Sequence, residues 1–182
     1  MPIADKIAAA QSIQGLLNIL LKHGGFRLKY RITVDPPMPE ERDWERPQIL
    51  VELAGPDAPL LLERNAELLR SFEHVTQQML RLMPDEHEKV SFDAMRYRAM
   101  RIEELRAAAN VAADRVRKSG MPYEFSPMTS RERRILHLAL RDQPDLLTES
   151  AGEAGQRRVV LYPKGYSGAR PTAMRMHSRS RR

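Results

Sequence analysis

Residues Phe26 to Val34, FRLKYRITV, alternate without a break, with Phe26, Leu28, Tyr30, Ile32 and Val34 on one side and Arg27, Lys29, Arg31 and Thr33 on the other. A period of two is that of a strand, and apolar residues on one side only make it a half-buried strand whose sheet must be covered on one face. The cover lies next to it in the chain. Ile3, Ile7, Ala10, Ile13, Leu16, Leu17, Leu20 and Leu21 recur at helical spacing, and Gly24-Gly25 closes that helix where a left-handed cap is easy. An amphipathic helix laid on a sheet makes the chain α+β.

The following residues extend the same plan. A proline-rich acidic connection, Asp35 to Pro47, leads to a second strand at QILVEL from Gln48, expected to pair with the first. Gly55-Pro56-Asp57 is a turn. Leu60 to Leu62 opens a short helical turn, Ala66 to Met83 reads as a helix ended by Pro84, and KVSF from Lys89 is a short third strand with Val90 and Phe92 on one side. A long helix from Arg96 to Ser119 ends at Gly120 and Pro122. Beyond it come a short strand at Tyr123 to Phe125, a helix from Ser130 to Asp142 and a strand in RRVVLYP, Arg157 to Pro163. Residues 164–182 have neither periodicity nor aliphatic core residues and are expected to form a disordered basic tail.

The net charge of +6 is unevenly divided. Residues 1–95 hold 11 Lys/Arg against 15 Asp/Glu, residues 96–163 hold 13 against 9, and residues 164–182 hold 6 and no acid. The basic excess therefore belongs to the C-terminal half, which implies a polyanionic partner there, most often nucleic acid. The absence of cysteine removes disulfides and thiolate metal sites, and the five histidines make no ligand pair at helical spacing, so neither a metal nor another cofactor is expected. The N-terminal segment carries Asp5, Lys6, Gln11, Gln14 and Asn18, too polar for a signal peptide or a spanning helix. A cytoplasmic protein without membrane insertion is the expectation.

One short helix stands out. Thr129 and Glu132 make a capping box, so MTSRERRILHLAL begins its helix near Ser130, with Arg131, Arg133 and Arg134 in the first turn and a half. Cations there are each disfavoured by about 0.3–1 kcal/mol. Ser130, Arg133, Arg134, His137 and Arg141 fall within roughly 100° of the helix wheel, and Ile135, Leu136, Ala139 and Leu140 lie outside that arc. A solvated polar face is the plain explanation, but an anion bound against the face would resolve the charge conflict.

Arg133-x-x-x-His137, set in PMTSRERRILHLALRDQPDLLTES and followed by GQRRVVL, resembles the R-3-H single-stranded nucleic-acid-binding domain of the bacterial Jag family, also called KhpB, EloR or SpoIIIJ-associated. The resemblance runs from about Tyr97 to Leu161. It implies nucleic-acid binding by Arg133 and His137 with their neighbours Arg131, Arg134 and Arg141, and by Arg157 and Arg158, which match the family's basic pair. It also implies a KH module of type II before this domain, in agreement with the helix, strand, strand, helix, helix, strand order from Ile3 to Phe92. The expected organisation is a KH type II-like module, a three-stranded sheet with helices, at 1–95. A long helix joins it to a small α/β R-3-H domain at 96–163, with the tail at 164–182. The family's N-terminal Jag domain is expected to be missing.

A KH module grips nucleotides through a G-x-x-G loop between two helices, where backbone N–H groups approach phosphates. The matching stretch here is Glu63-Arg64-Asn65-Ala66. Both glycines are absent, Glu63 places an anion in the cradle and Ala66 adds bulk, so the loop is degenerate and the KH site is not carried over as a whole, with a phosphate contact by Arg64 the alternative. Elsewhere the structural explanations weigh more. Arg115, Arg117 and Lys118 suit a helix C-terminus, and Arg27, Lys29 and Arg31 read as a solvated strand face. The alternative for Arg157 and Arg158 is an edge strand protected by charge. Trp44 either packs on the sheet or meets a partner.

The leading expectation is a single-stranded nucleic-acid-binding protein, with RNA ahead of DNA, and by the resemblance a regulator of RNA metabolism or cell envelope growth. The alternative is an adaptor working through its KH-like module, with another KH protein or a second copy as partner. Catalysis is not expected, nor a small-molecule substrate. His137 lies among arginines, which lower its pKa, and neither a nucleophile nor a carboxylate pair converges on it.

Overall fold

A computed structural model describes residues 3–37 and 47–168. Trp44, most of the proline-rich connection and the tail from 169 lie outside the described residues. Contacts divide the chain into two compact units, Met1–Ala99 and Met100–Arg182.

In the first unit, helix α1 (Lys6–Gly24) starts where the Asp5 side chain accepts the Ala8 N–H and ends on Gly25 at φ 68°, the expected left-handed cap. Its buried stripe is Ala9, Ile13, Leu17 and Leu21, a strict four-residue spacing. Ile7, which the sequence pattern places on the apolar face, falls off that stripe and is solvent-exposed. Strands β1 (Lys29–Val34) and β2 (Ile49–Ala54) pair antiparallel, and β3 (Val90–Ala94) joins β2 in parallel. The first strand is shorter than its alternation, since Phe26 and Leu28 precede it, although both pack on the core. That core joins Ile13 and Leu17 to Val51, Leu53, Val90 and Phe92.

Helix α2 (Ala58–Met79) is broken at Glu63–Ala66, and it stops at Met79, four residues before the expected Met83. Arg64, Asn65 and Ala66 have φ of 48°, 63° and 58°, three successive residues in the left-handed region that favours glycine. Ala66 is fully buried in the core between Leu61 and Leu69, while Glu63, Arg64 and Asn65 are exposed. A 3-10 turn, Pro84–Lys89, leads into β3. The outer edge of β3 is closed by side chains: the Phe92 N–H donates to Glu73 Oε2 at 2.9 Å, Arg98 Nε donates to the Phe92 carbonyl at 2.6 Å, and Arg98 and Glu73 form an ion pair.

Helix α3 (Tyr97–Ser119) contains the boundary between the units and ends at Gly120, at φ 67°. The second unit continues with β4 (Tyr123–Glu124), α4 (Ser130–Ala139), β5 (Leu146–Ala151) and β6 (Arg158–Pro163), whose sheet order is β4-β6-β5 with both pairings antiparallel. Strand β5 was not expected, because LLTESA places Thr148 and Ser150 at alternate positions where a half-buried strand normally shows aliphatic side chains. Strand β6 is central. The Met128 and Phe125 N–H groups donate to the Arg157 and Val159 carbonyls on one side, and β5 pairs on the other. An edge strand protected by charge is therefore not the reason for Arg157 and Arg158.

Candidate nucleic-acid interface

Helix α4 begins at its expected capping box. The Thr129 hydroxyl accepts the Glu132 N–H at 3.3 Å, and Glu132 Oε2 accepts the Thr129 N–H at 2.9 Å and its hydroxyl at 2.9 Å. Glu132 is buried, and Arg101 Nε donates to its other oxygen at 2.7 Å. Burial alone would raise this carboxyl's pKa, but the Thr129 N–H, Arg101 and the Thr129 hydroxyl outweigh it and hold the pKa below the ordinary value. The one acid of the first turn is thus engaged with the helix start and with α3.

Arg133 is half-buried, and its Nη1 donates to the Met128 carbonyl at 2.9 Å rather than to a carboxylate. The Met128 N–H in turn donates to the Arg157 carbonyl at 3.1 Å, which brings the start of β6 beside α4. Burial foremost, then repulsion from Arg157, lowers the Arg133 pKa against a partial offset from Glu132. The Arg157 charge thus acts on Arg133, and an anion bound there would relieve the repulsion. Arg134 and Arg157 are exposed and Arg131 is half-buried. Arg158 is drawn across the sheet to Glu124, at 3.2 Å, which takes up part of its charge.

His137 lies one turn beyond Arg133, and both of its ring nitrogens are occupied. Nδ1 is 2.7 Å from Thr148 Oγ1, and Nε2 is 3.0 Å from Ser150 Oγ, both hydroxyls belonging to β5. Burial and then the nearby Arg133 charge push its pKa below the usual 6.5, so the neutral ring is favoured. No ring nitrogen remains to meet a ligand directly. Thr148 and Ser150 are the polar groups that the sequence reading left without a role; the only signal was TES at the spacing of the family resemblance.

Arg141 departs from its expected place. The helix ends at Ala139, so Arg141 lies in the turn beyond it, mostly exposed and 3.5 Å from Asp142. It therefore does not extend the line of Arg133 and His137. The structural explanation suits the C-terminal patch of α3: Arg117 donates to Asp145 at 2.6 Å and Gln143 at 2.5 Å, and Arg115 lies over the Tyr123 ring. In the first unit, Arg27 just before β1 pairs with Asp57 in the turn after β2, and Arg31 pairs with Glu52 across β1 and β2, as a solvated face would. Glu63 to Ala66 also belong to that unit.

Among the described residues, no group of three or more His, Asp or Glu side chains is placed to hold a metal ion, and no helix is long and apolar enough to cross a membrane. Residues 103–163 match the model of the R-3-H domain. The chain is 33% identical over 114 residues to the RNA-binding protein KhpB of Bacillus subtilis (strain 168), covering 62% of this chain and 55% of that protein. It is 29% identical over 111 residues to the RNA-binding protein KhpB of Clostridium symbiosum, covering 61% and 50%. The chain thus spans about half the length of the curated relatives it matches. The capped helix, its Arg133 and His137, and the strand that follows all lie inside the segment that matches the R-3-H domain.

Proposed function

We propose that the chain binds single-stranded nucleic acid, RNA foremost, across the α4 face and the start of β6. Arg133, Arg134, Arg131 and Arg157 neutralise phosphates, Arg158 contributes at the rim, and Arg141 adds charge from the neighbouring turn. The observation that carries this reading is the link through Met128: Arg133, half-buried, gives its hydrogen bond to the Met128 carbonyl, and the Met128 N–H bonds the Arg157 carbonyl, which sets the α4 cation beside the basic start of β6. The names of the similar proteins in Bacillus and Clostridium support RNA as the polymer. Arg133→Ala is expected to weaken binding of a single-stranded RNA about equally for all sequences. It should also reduce the slope of log affinity against log salt by about 0.7–1. Fluorescence anisotropy across a salt series measures both, and an unchanged affinity would refute the site.

The first unit we read as a KH type II-like module, on its α-β-β-α-α-β order with one antiparallel and one parallel strand pair. Its loop at Glu63 to Ala66 has an exposed acid where a phosphate would lie, which favours protein contact over nucleic acid for this unit. Crosslinking to RNA in cells, with mapping of the peptides, should place the contacts between residues 128 and 158. Crosslinks centred on 63–66 would reverse the assignment.

A further inference from the structure

We propose that Thr148 and Ser150, held by His137, are the groups through which this site distinguishes RNA from DNA, by engaging a ribose 2′-hydroxyl. This rests on the nucleic-acid reading above and names what the second half of the site does. Hydrogen-bond accounting leads to it. A neutral imidazole has one N–H donor and one acceptor nitrogen, whichever tautomer it adopts. Here the two nitrogens face two hydroxyls at 2.7 and 3.0 Å. The hydroxyl facing the N–H accepts, and keeps its own proton to offer outwards. The hydroxyl facing the bare nitrogen gives that nitrogen its proton and presents only lone pairs.

The pair thus shows one donor and one acceptor to whatever lies against it. A phosphate oxygen can meet the donor but not the acceptor, because it carries no proton. A 2′-hydroxyl is donor and acceptor together, and it is the group by which a protein tells RNA from DNA. A ligand lacking it leaves a half-buried lone pair unmet, and such a loss discriminates more sharply than an added apolar contact.

The placement suits the task. Thr148 and Ser150 alternate on β5, an outer strand of its sheet, and both are half-buried. They share a face with Val159 and Leu161 of β6, while Glu149 points to the opposite side. Arg133 on α4 is the charged group that acts on the ring, and it disfavours a second proton on the imidazole. Burial works in the same direction. His137 is in this account a positioning residue that sets the polarity of two hydroxyls without touching the ligand.

The test compares single-stranded RNA and DNA of one sequence on the full chain, by anisotropy at fixed salt, for the parent, Thr148→Val, Ser150→Ala, Thr148→Ser and Arg133→Ala. The parent should bind RNA more tightly than DNA. Thr148→Val and Ser150→Ala should each lose about 5-fold or more on RNA with little change on DNA. Thr148→Ser, which keeps the hydroxyl, should retain the preference, and Arg133→Ala should weaken both polymers in proportion. Equal losses on RNA and DNA in the hydroxyl variants, or no loss at all, would overturn the proposal while leaving the nucleic-acid reading intact. A parent that binds neither polymer would overturn both. Thermal unfolding of each variant identifies any loss due to misfolding, and the RNA-to-DNA ratio is insensitive to the fraction folded.

Discussion

His137 shows how a residue can be found from sequence while its role is not. Its place on one helix face with Arg133 follows from a spacing of four, and its lowered pKa follows in part from the arginines around it. Its two hydroxyl partners come from a strand eleven and thirteen residues further on, and no local pattern connects them. Because the folded pKa lies below 6.5, the neutral ring is the form that the fold stabilises. That contribution is complete above the unfolded value and is lost as the pH falls through the folded one. Thermal unfolding of the parent should therefore shift to lower temperature as the pH falls through 6.5 and below, and His137→Gln should flatten that part of the profile. An NMR titration of His137 with its midpoint at or above 6.5 would contradict this.

Among the elements, those fixed by a local signal were legible: the Thr129 cap, the Gly25 and Gly120 ends, and β3 with Val90 and Phe92 inside. Those fixed by tertiary contact were not. Helix α4 stops at Ala139 although its wheel pattern continues, and β5 lacks an aliphatic face because its inward positions serve His137. The break in α2 is a third case. Its position was recognisable from the two helical segments around it, but nothing in Arg64, Asn65 or Ala66 announces three left-handed residues in succession. Ala66 shows why glycine is not required throughout, since its methyl group is buried in the core. Arg64 has no such return and keeps only the steric cost. Arg64→Gly is expected to stabilise the first unit by about 0.5–1 kcal/mol, the lower end reflecting the greater freedom of glycine in the unfolded chain. Chemical denaturation followed by circular dichroism measures it, and a destabilised variant would show that the side chain is contributing elsewhere.

Across the whole molecule, charge was the most dependable guide, because it needs no knowledge of contacts. The acidic half became the unit in which Arg27 and Arg31 are paired with Asp57 and Glu52, and the basic half the unit in which the Arg157 charge acts on Arg133. Residues 169–182 carry five further arginines and no acid. Removing them should lower the salt slope of RNA binding while preserving the ranking of different RNA sequences, since attraction to a phosphate backbone does not depend on the bases. A changed ranking would show that the segment takes part in recognition.

The closed edge of β3 limits how the first unit can assemble through its sheet. A sheet grows by adding strands at its margins, and a sheet with two open margins can grow without end. With Glu73 and Arg98 occupying the main-chain groups of Phe92, the first sheet is blocked on that side, so β1 at its other margin is where a further strand can add. The valence of the first sheet for strand pairing is thereby reduced to one: two copies joined through β1 would saturate that sheet in each, and this sheet could not propagate a fibre.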